Sequence, residues 1–173
     1  MNIKFEELCN EKGIIRQLTT PYTPQQNGVA ERRNRTLLDM TRSMMAQANL
    51  SISFWGDALL TAAYILNKVP SKSVPSTPYE LWTGHKTNLN DLRPWGCAAY
   101  IKDRFGEFGK LSPKGKKCIF IRYSEHSKGY VFIDELEDGS NTEIEPRDVK
   151  FLENNFPKKD DINEGESFYE ILN

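Results

Sequence analysis

The sequence predicts an α+β chain, in which a helical first part is followed by a small five-stranded antiparallel β-barrel. Three observations carry that expectation. Apolar residues recur at helical spacing across residues 29–48 and 54–67. After Gly84 the texture changes to short runs rich in β-branched and aromatic residues. Gly, Ser, Pro and Asn turns part those runs, as in small antiparallel sheets and barrels. The 173 residues give room for one ordinary domain or two small ones.

Taken in order, residues 3–12 place Phe5, Leu8 and Cys9 at helical spacing, and Gly13 is positioned to stop that helix as a left-handed glycine. Residues 14–18 (Ile-Ile-Arg-Gln-Leu) read as a short strand, and residues 19–28, with two prolines and an Asn-Gly, read as a loop. A long helix is expected over residues 29–48. Val29, Ala30, Arg33, Leu37, Met40 and Met44 share one stripe of it, with the Arg33 stem lying beside the core. Glu31, Arg35 and Arg42 share another. The helix over residues 54–67 is apolar nearly all round, which predicts burial. Pro70, Pro75 and Pro78 mark a turn-rich connection, where Ser76 or Thr77 can cap a short helix at residues 78–82. Strands are expected at residues 97–101, 118–123, 130–133, 142–145 and 149–152. Trp55, Trp82 and Trp95 read as core anchors, Tyr123, Tyr130 and Phe132 as core, and Cys9, Cys97 and Cys118 as buried small hydrophobes. The expected division is residues 1–84, a linker at 85–94, the barrel at 95–153 and an acidic tail at 154–173.

Charge is unevenly spread. Residues 1–133 hold 19 Lys+Arg against 11 Asp+Glu, a net of +8, and residues 134–173 hold 4 against 13, a net of -9. A basic body with an acidic tail fits an anionic partner for the body, although solubility alone accounts for the same counts. Three well-separated cysteines disfavour a disulfide framework, and two histidines write no Cys/His zinc spacing. A reducing, intracellular setting is therefore expected. No apolar run approaches the ~18 residues of a membrane span, and the first residues lack the apolar core of a secretory signal.

The most informative stretch is Pro21-Tyr-Thr-Pro-Gln-Gln-Asn-Gly-Val-Ala-Glu-Arg-Arg-Asn-Arg-Thr36. A glycine loop feeds a helix whose first turns hold one carboxylate, Glu31, and three arginines, Arg32, Arg33 and Arg35. By itself Glu31 can be a dipole-complementing residue with an i,i+4 partner in Arg35. The whole string, however, closely resembles the last catalytic segment of copia-type retrotransposon integrases. That resemblance continues through Phe54-Trp-Gly-Asp-Ala-Leu, Ala63-Tyr-Ile-Leu-Asn-Lys-Val-Pro, Thr77-Pro-Tyr-Glu-Leu-Trp-Thr-Gly and Leu92-Arg-Pro-Trp-Gly-Cys. Lys110-Leu-Ser-Pro-Lys-Gly-Lys-Lys-Cys-Ile-Phe-Ile-Arg-Tyr, Ser127-Lys-Gly-Tyr and Arg147-Asp-Val are similar to the family's Src-homology-three-like barrel.

The resemblance implies that the helical part is the C-terminal portion of a ribonuclease-H-like integrase core. It also implies a chemistry of three carboxylates around two divalent metals, with Mg²⁺ the implied ion of the intact family enzyme. Glu31 matches the third carboxylate. The other two are aspartates that the family places upstream, and the first aspartate in this chain is Asp39. The expectation is an N-terminally truncated remnant that needs no cofactor alone and does not catalyse. Glu31 would be a metal ligand only if the missing aspartates were supplied. The expected partner is DNA, bound weakly and without sequence preference through Gln26, Asn27, Arg32, Arg35, Arg42, Lys114, Lys116 and Lys117. Against this stand a solvated turn at residues 114–117 and pairing of the arginines with acids such as Asp39. Other integrase or Pol chains are further candidate partners, no membrane is expected, and the nucleus is the compartment implied by the family. The alternatives are a protein-interaction module and a non-functional retroelement remnant.

Overall fold

Helix α1 (Ile3–Glu11) buries a single side chain, Cys9, in the computed structural model, which describes residues 3–16, 18–70, 74–102, 115–135 and 141–157. The helix ends as Gly13 predicted. Gly13 takes φ +65°, its N–H donates to the Asn10 carbonyl at 3.2 Å, and the Ile14 N–H donates to the Cys9 carbonyl at 2.8 Å. This is the double-bonded left-handed termination that satisfies two otherwise orphaned carbonyls.

The strand expected at residues 14–18 does not form. Residues 14–16 lie outside any ladder, with Ile15 96% exposed, and Gln17 lies outside the described residues. Apolar, β-branched composition supplies a tendency to extend, but a strand exists only where a neighbour takes its backbone groups. The loop that follows is more ordered than its composition implies, since Pro24–Asn27 forms a turn of 3₁₀ helix. Helix α2 (Gly28–Ala48) starts one residue early. In its second half the expected stripe residues Leu37, Met40 and Met44 are only half-buried, and the buried side chains are Thr41, Met45 and Ala48 on the neighbouring face. Its first half departs further from the stripe. Val29, Ala30 and Arg33 are exposed, so Arg33 does not rest against the core. Periodicity records which residues share a face, not whether anything covers that face.

By its contacts the chain divides into two compact units, Met1–Thr36 and Leu37–Asn173. The division falls within α2 and not at residues 85–94, because the next helix docks onto the sheet. Ser51 caps a 3₁₀ turn (Ile52–Phe54) that leads into α3 (Trp55–Lys68). Ala58, Thr61 and Ala62 are the buried side chains of α3, whereas Leu60 and Trp55 are exposed, so the helix is covered on one side only. Helix α4 (Pro78–Thr83) begins with a full capping box. Thr77 Oγ1 accepts from the Glu80 N–H at 3.1 Å, and the Glu80 carboxylate accepts from the Thr77 N–H at 3.1 Å. Trp82, expected as a core anchor, is 81% exposed on this helix, and Trp55 is 56% exposed. Only Trp95 of the three is buried.

All five expected strands are present: β1 (Ala98–Lys102), β2 (Gly115–Tyr123), β3 (Tyr130–Glu135), β4 (Asn141–Ile144) and β5 (Val149–Leu152). They form one antiparallel sheet in the order β4-β3-β2-β1-β5. Among the described residues no ladder joins the two four-residue edge strands β4 and β5, so the sheet is open where a closed barrel was expected. Both faces are apolar. One packs Ile119, Ile121, Val131 and Ile133 against Met45, Ala48, Leu50, Ala58 and Trp95. The other collects Cys97, Ala99, Ile101, Cys118, Phe120, Tyr123 and Phe132.

A bulge interrupts the pairing of β2 with β3. Phe120 pairs with Phe132 and Arg122 with Val131, which leaves Ile121 as the extra residue. Its carbonyl, released from the ladder, accepts from Thr61 Oγ1 at 3.2 Å and from Trp95 Nε1 at 2.5 Å. This is how α3 and the sheet are locked together. Gly96, at φ +77°, completes the junction, because a Cβ there would lie 2.1 Å from the Ala48 Cβ.

Candidate nucleic-acid interface

In the first unit the loop before α2 is built around one glutamine. The Gln26 side chain accepts from the Thr20 N–H at 3.1 Å and donates to Thr20 Oγ1 at 3.2 Å. Thr23 Oγ1 donates to the Thr20 carbonyl at 2.7 Å. Gln26, expected as a nucleic-acid contact, therefore has its amide engaged in shaping the loop. Asn27 ends the 3₁₀ turn and is exposed.

Glu31, Arg32 and Arg35 follow on the first two turns of α2, all exposed. Glu31 in the first turn complements the helix dipole. Neither it nor the two arginines enters an ion pair among the described residues, so the i,i+4 partnership of Glu31 with Arg35 is not formed. Arg32 instead turns back toward Gly28, where a Cβ would meet its Nη1 at 3.5 Å. Among the described residues no three His, Cys, Asp or Glu side chains come together to hold a metal. Glu31 alone does not fit a two-metal centre, which needs several carboxylates to share the cations.

The second unit holds Arg42, Lys116 and Lys117, while Lys114 lies outside the described residues. Arg42 pairs with Asp39 across one turn at 3.5 Å, with both side chains more than half exposed. Lys116 forms an ion pair with the buried carboxylate of Asp134. Its charge is thus partly committed within the fold. Lys117 is exposed on β2, directly opposite Tyr100.

Two other polar centres organise the unit. Arg122 reaches Asp57 of α3 at 2.8 Å and grips Glu143 of β4 through both terminal nitrogens, at 2.8 and 2.6 Å. These bonds hold the guanidinium above its ordinary pKa and the Glu143 carboxyl below the usual carboxylate value. Arg93 donates Nη1 to the Asn90 and Leu92 carbonyls at 2.7 and 2.8 Å, lies over the Phe151 ring, and has Nε 3.4 Å from Glu153. The Tyr123 hydroxyl accepts from the Arg93 N–H at 2.9 Å, and burial pushes that phenol up to about 12. Burial likewise pushes the Cys97 thiol up to about 11, which keeps it neutral and inert as a nucleophile.

Residues 97–164 match the retroviral polymerase SH3-like domain. Over 162 residues the chain is 38% identical to the retrovirus-related Pol polyprotein from transposon TNT 1-94 of Nicotiana tabacum, covering 93% of this chain and 12% of that protein. An uncharacterized mitochondrial protein of Arabidopsis thaliana is 39% identical over 85 residues, covering 49% of this chain and 68% of that protein. The chain belongs to the copia-type retrotransposon Pol polyprotein family. The Pol polyprotein from transposon RE1 of Arabidopsis thaliana is 29% identical over 152 residues, covering 87% of this chain and 10% of that protein. The chain spans roughly a tenth of the length of these Pol relatives (12% and 10%). At the family level it is integrase-related. The SH3-like match begins at Cys97 and takes in all five strands, so the sheet carries the family signature. No helix among the described residues is long and apolar enough to cross a membrane.

Proposed function

We propose that this chain is an integrase-derived, nucleic-acid-binding piece of a Pol polyprotein that binds DNA weakly and does not catalyse strand transfer by itself. The observation that carries the reading is the pair Arg32 and Arg35, exposed and unpaired among the described residues on the helix that Gln26 and Thr20 help to set. Guanidinium groups in water gain by replacing the counterions of a phosphate backbone. Glu31 is a vestigial third carboxylate in this reading, and the nucleus is the compartment in which the partner would be met.

Fluorescence anisotropy on a mixed-sequence duplex tests it. Binding should weaken log-linearly with salt, and replacing Arg32 and Arg35 with alanine should flatten the slope by about two units, at roughly 0.9 per lost contact. With Mg²⁺ or Mn²⁺, no 3′-end processing or strand transfer is expected. Turnover that disappears in Glu31→Gln would refute the inactive reading. A second reading, a protein-interaction module, draws on Leu81 and Trp82, which are consecutive on α4 and largely exposed. It would replace the first if the chain binds no nucleic acid but captures another Pol-family chain.

A further inference from the structure

The face of the sheet that α2 and α3 cover is covered only in part. Ala98 and Ile119 sit beneath the helices or at their margin, and Tyr100 and Lys102 continue the same face of β1 two and four residues on. Register places Lys117 of β2 and Lys150 of β5 directly opposite Tyr100, one on each side. Tyr100 is 44% exposed, and the three lysines are exposed with no ion partner among the described residues. Strand spacing sets Lys117 and Lys150 about 10 Å apart, with Lys102 about 7 Å along β1 from the ring. Gly115 lies beside that ring, where an added Cβ would meet Tyr100 Cδ1 at 3.6 Å, so the tyrosine leans over the space that the glycine leaves. Three cations around a half-exposed aromatic ring form an arrangement that composition does not reveal.

We propose that Lys102, Lys117 and Lys150 together with Tyr100 form a contact for single-stranded nucleic acid. This rests on the nucleic-acid reading above and adds to it a surface and a strand preference. The ammonium groups neutralise neighbouring phosphates, and an unpaired base stacks on the Tyr100 ring. A duplex offers phosphates to the lysines but keeps its bases stacked within the helix, so it cannot use the ring. Lys116, in register with Ile101 and so on the opposite face of the sheet, meets Asp134 there and is not part of the contact. A purely structural role for Tyr100 would be to cover Gly115, and Tyr100→Leu separates that role from base stacking.

Anisotropy with the full chain uses labelled (dT)20, (U)20 and a 20-base-pair duplex. The single strands should bind more tightly than the duplex. Tyr100→Leu still covers Gly115 but offers no ring, and should weaken (dT)20 binding on the order of tenfold while leaving the duplex unchanged. Tyr100→Phe should retain the wild-type affinity. Replacing Lys102, Lys117 and Lys150 with alanine should flatten the (dT)20 salt slope by about two units, at roughly 0.7 per contact. Equal effects on (dT)20 and (U)20 support the shared single-strand chemistry, and loss confined to one of them assigns the source as DNA or RNA. Tyr100→Leu that binds (dT)20 like wild type, with an unchanged thermal melt, overturns the proposal. Duplex binding that depends on Arg32 and Arg35, with no single-strand preference, overturns it while leaving the broader reading standing. Binding to none of the three probes removes both.

Discussion

The carbonyl of Ile121 shows how one backbone irregularity organises many side chains. Released by the bulge, it is met by a hydroxyl from α3 and an indole from the segment before β1, so a buried acceptor is doubly satisfied. Beside it, Gly96 and Ala48 approach so closely that neither tolerates a larger residue. Gly96→Ala adds a Cβ 2.1 Å from a buried methyl, at a backbone φ of +77°. Strain and overpacking together should cost about 3 kcal/mol or more. Gly84 is the control, since its φ is +71° but a Cβ there meets nothing within 4 Å. Gly84→Ala should cost only about 1 kcal/mol, the conformational part alone. Urea denaturation of both variants measures the difference. Equal losses would mean that the approach to Ala48 contributes nothing. Neither the bulge nor this contact was legible from the sequence, because the bulge depends on how two strands pair and the contact joins residues far apart in the chain.

Elements with local punctuation were the legible ones. Gly13 ends α1, Thr77 and Glu80 begin α4, and turn residues bracket five strands, all signals readable within a few positions. What misled was composition without a partner: residues 14–16 are β-prone but unpaired, and Trp55 and Trp82 are large and apolar but exposed. The α4 start allows a quantitative test. Thr77→Ala removes the side-chain cap and should cost about 1 kcal/mol. Glu80 accepts from the Thr87 N–H at 3.0 Å and from Thr77, bonds that hold its carboxyl below the ordinary glutamate value. A depressed folded value means that its contribution is full above the unfolded carboxylate's pKa and is lost as pH falls through the folded one. Wild-type stability, followed by denaturation from neutral pH to about pH 3, should therefore drop more steeply than that of Glu80→Gln. Parallel curves would show that the carboxylate bonds add nothing beyond the neutral cap. Of the residues around the Tyr100 ring, only Lys117 was among the contacts expected from the sequence. Its meeting with Tyr100, Lys102 and Lys150 was not legible, because register is fixed by pairing.

For the molecule as a whole, the net charge of -1 conceals a body of +8 and a C-terminal stretch of -9. Three of the acids in that stretch already form ion pairs inside the fold: Asp134 with Lys116, Glu143 with Arg122 and Glu153 with Arg93. Residues 157–173 hold five more, Asp160, Asp161, Glu164, Glu166 and Glu170, against Lys158 and Lys159. Like charges repel a phosphate backbone over distances set by the Debye length, about 10 Å at 0.1 M salt and about 30 Å at 0.01 M. Deleting residues 157–173 raises the net charge by three without removing any residue of the five strands. Affinity for both duplex and (dT)20 should rise, and most at low salt, where screening is weakest. The arginines of α2 and the lysines around Tyr100 remain in place, so a rise would come from removed repulsion and not from new contacts. Anisotropy of the two chains across a salt series reads this directly. If the full-length and shortened chains titrate identically at low salt, the acidic stretch exerts no field at either surface, and the charge asymmetry serves solubility alone.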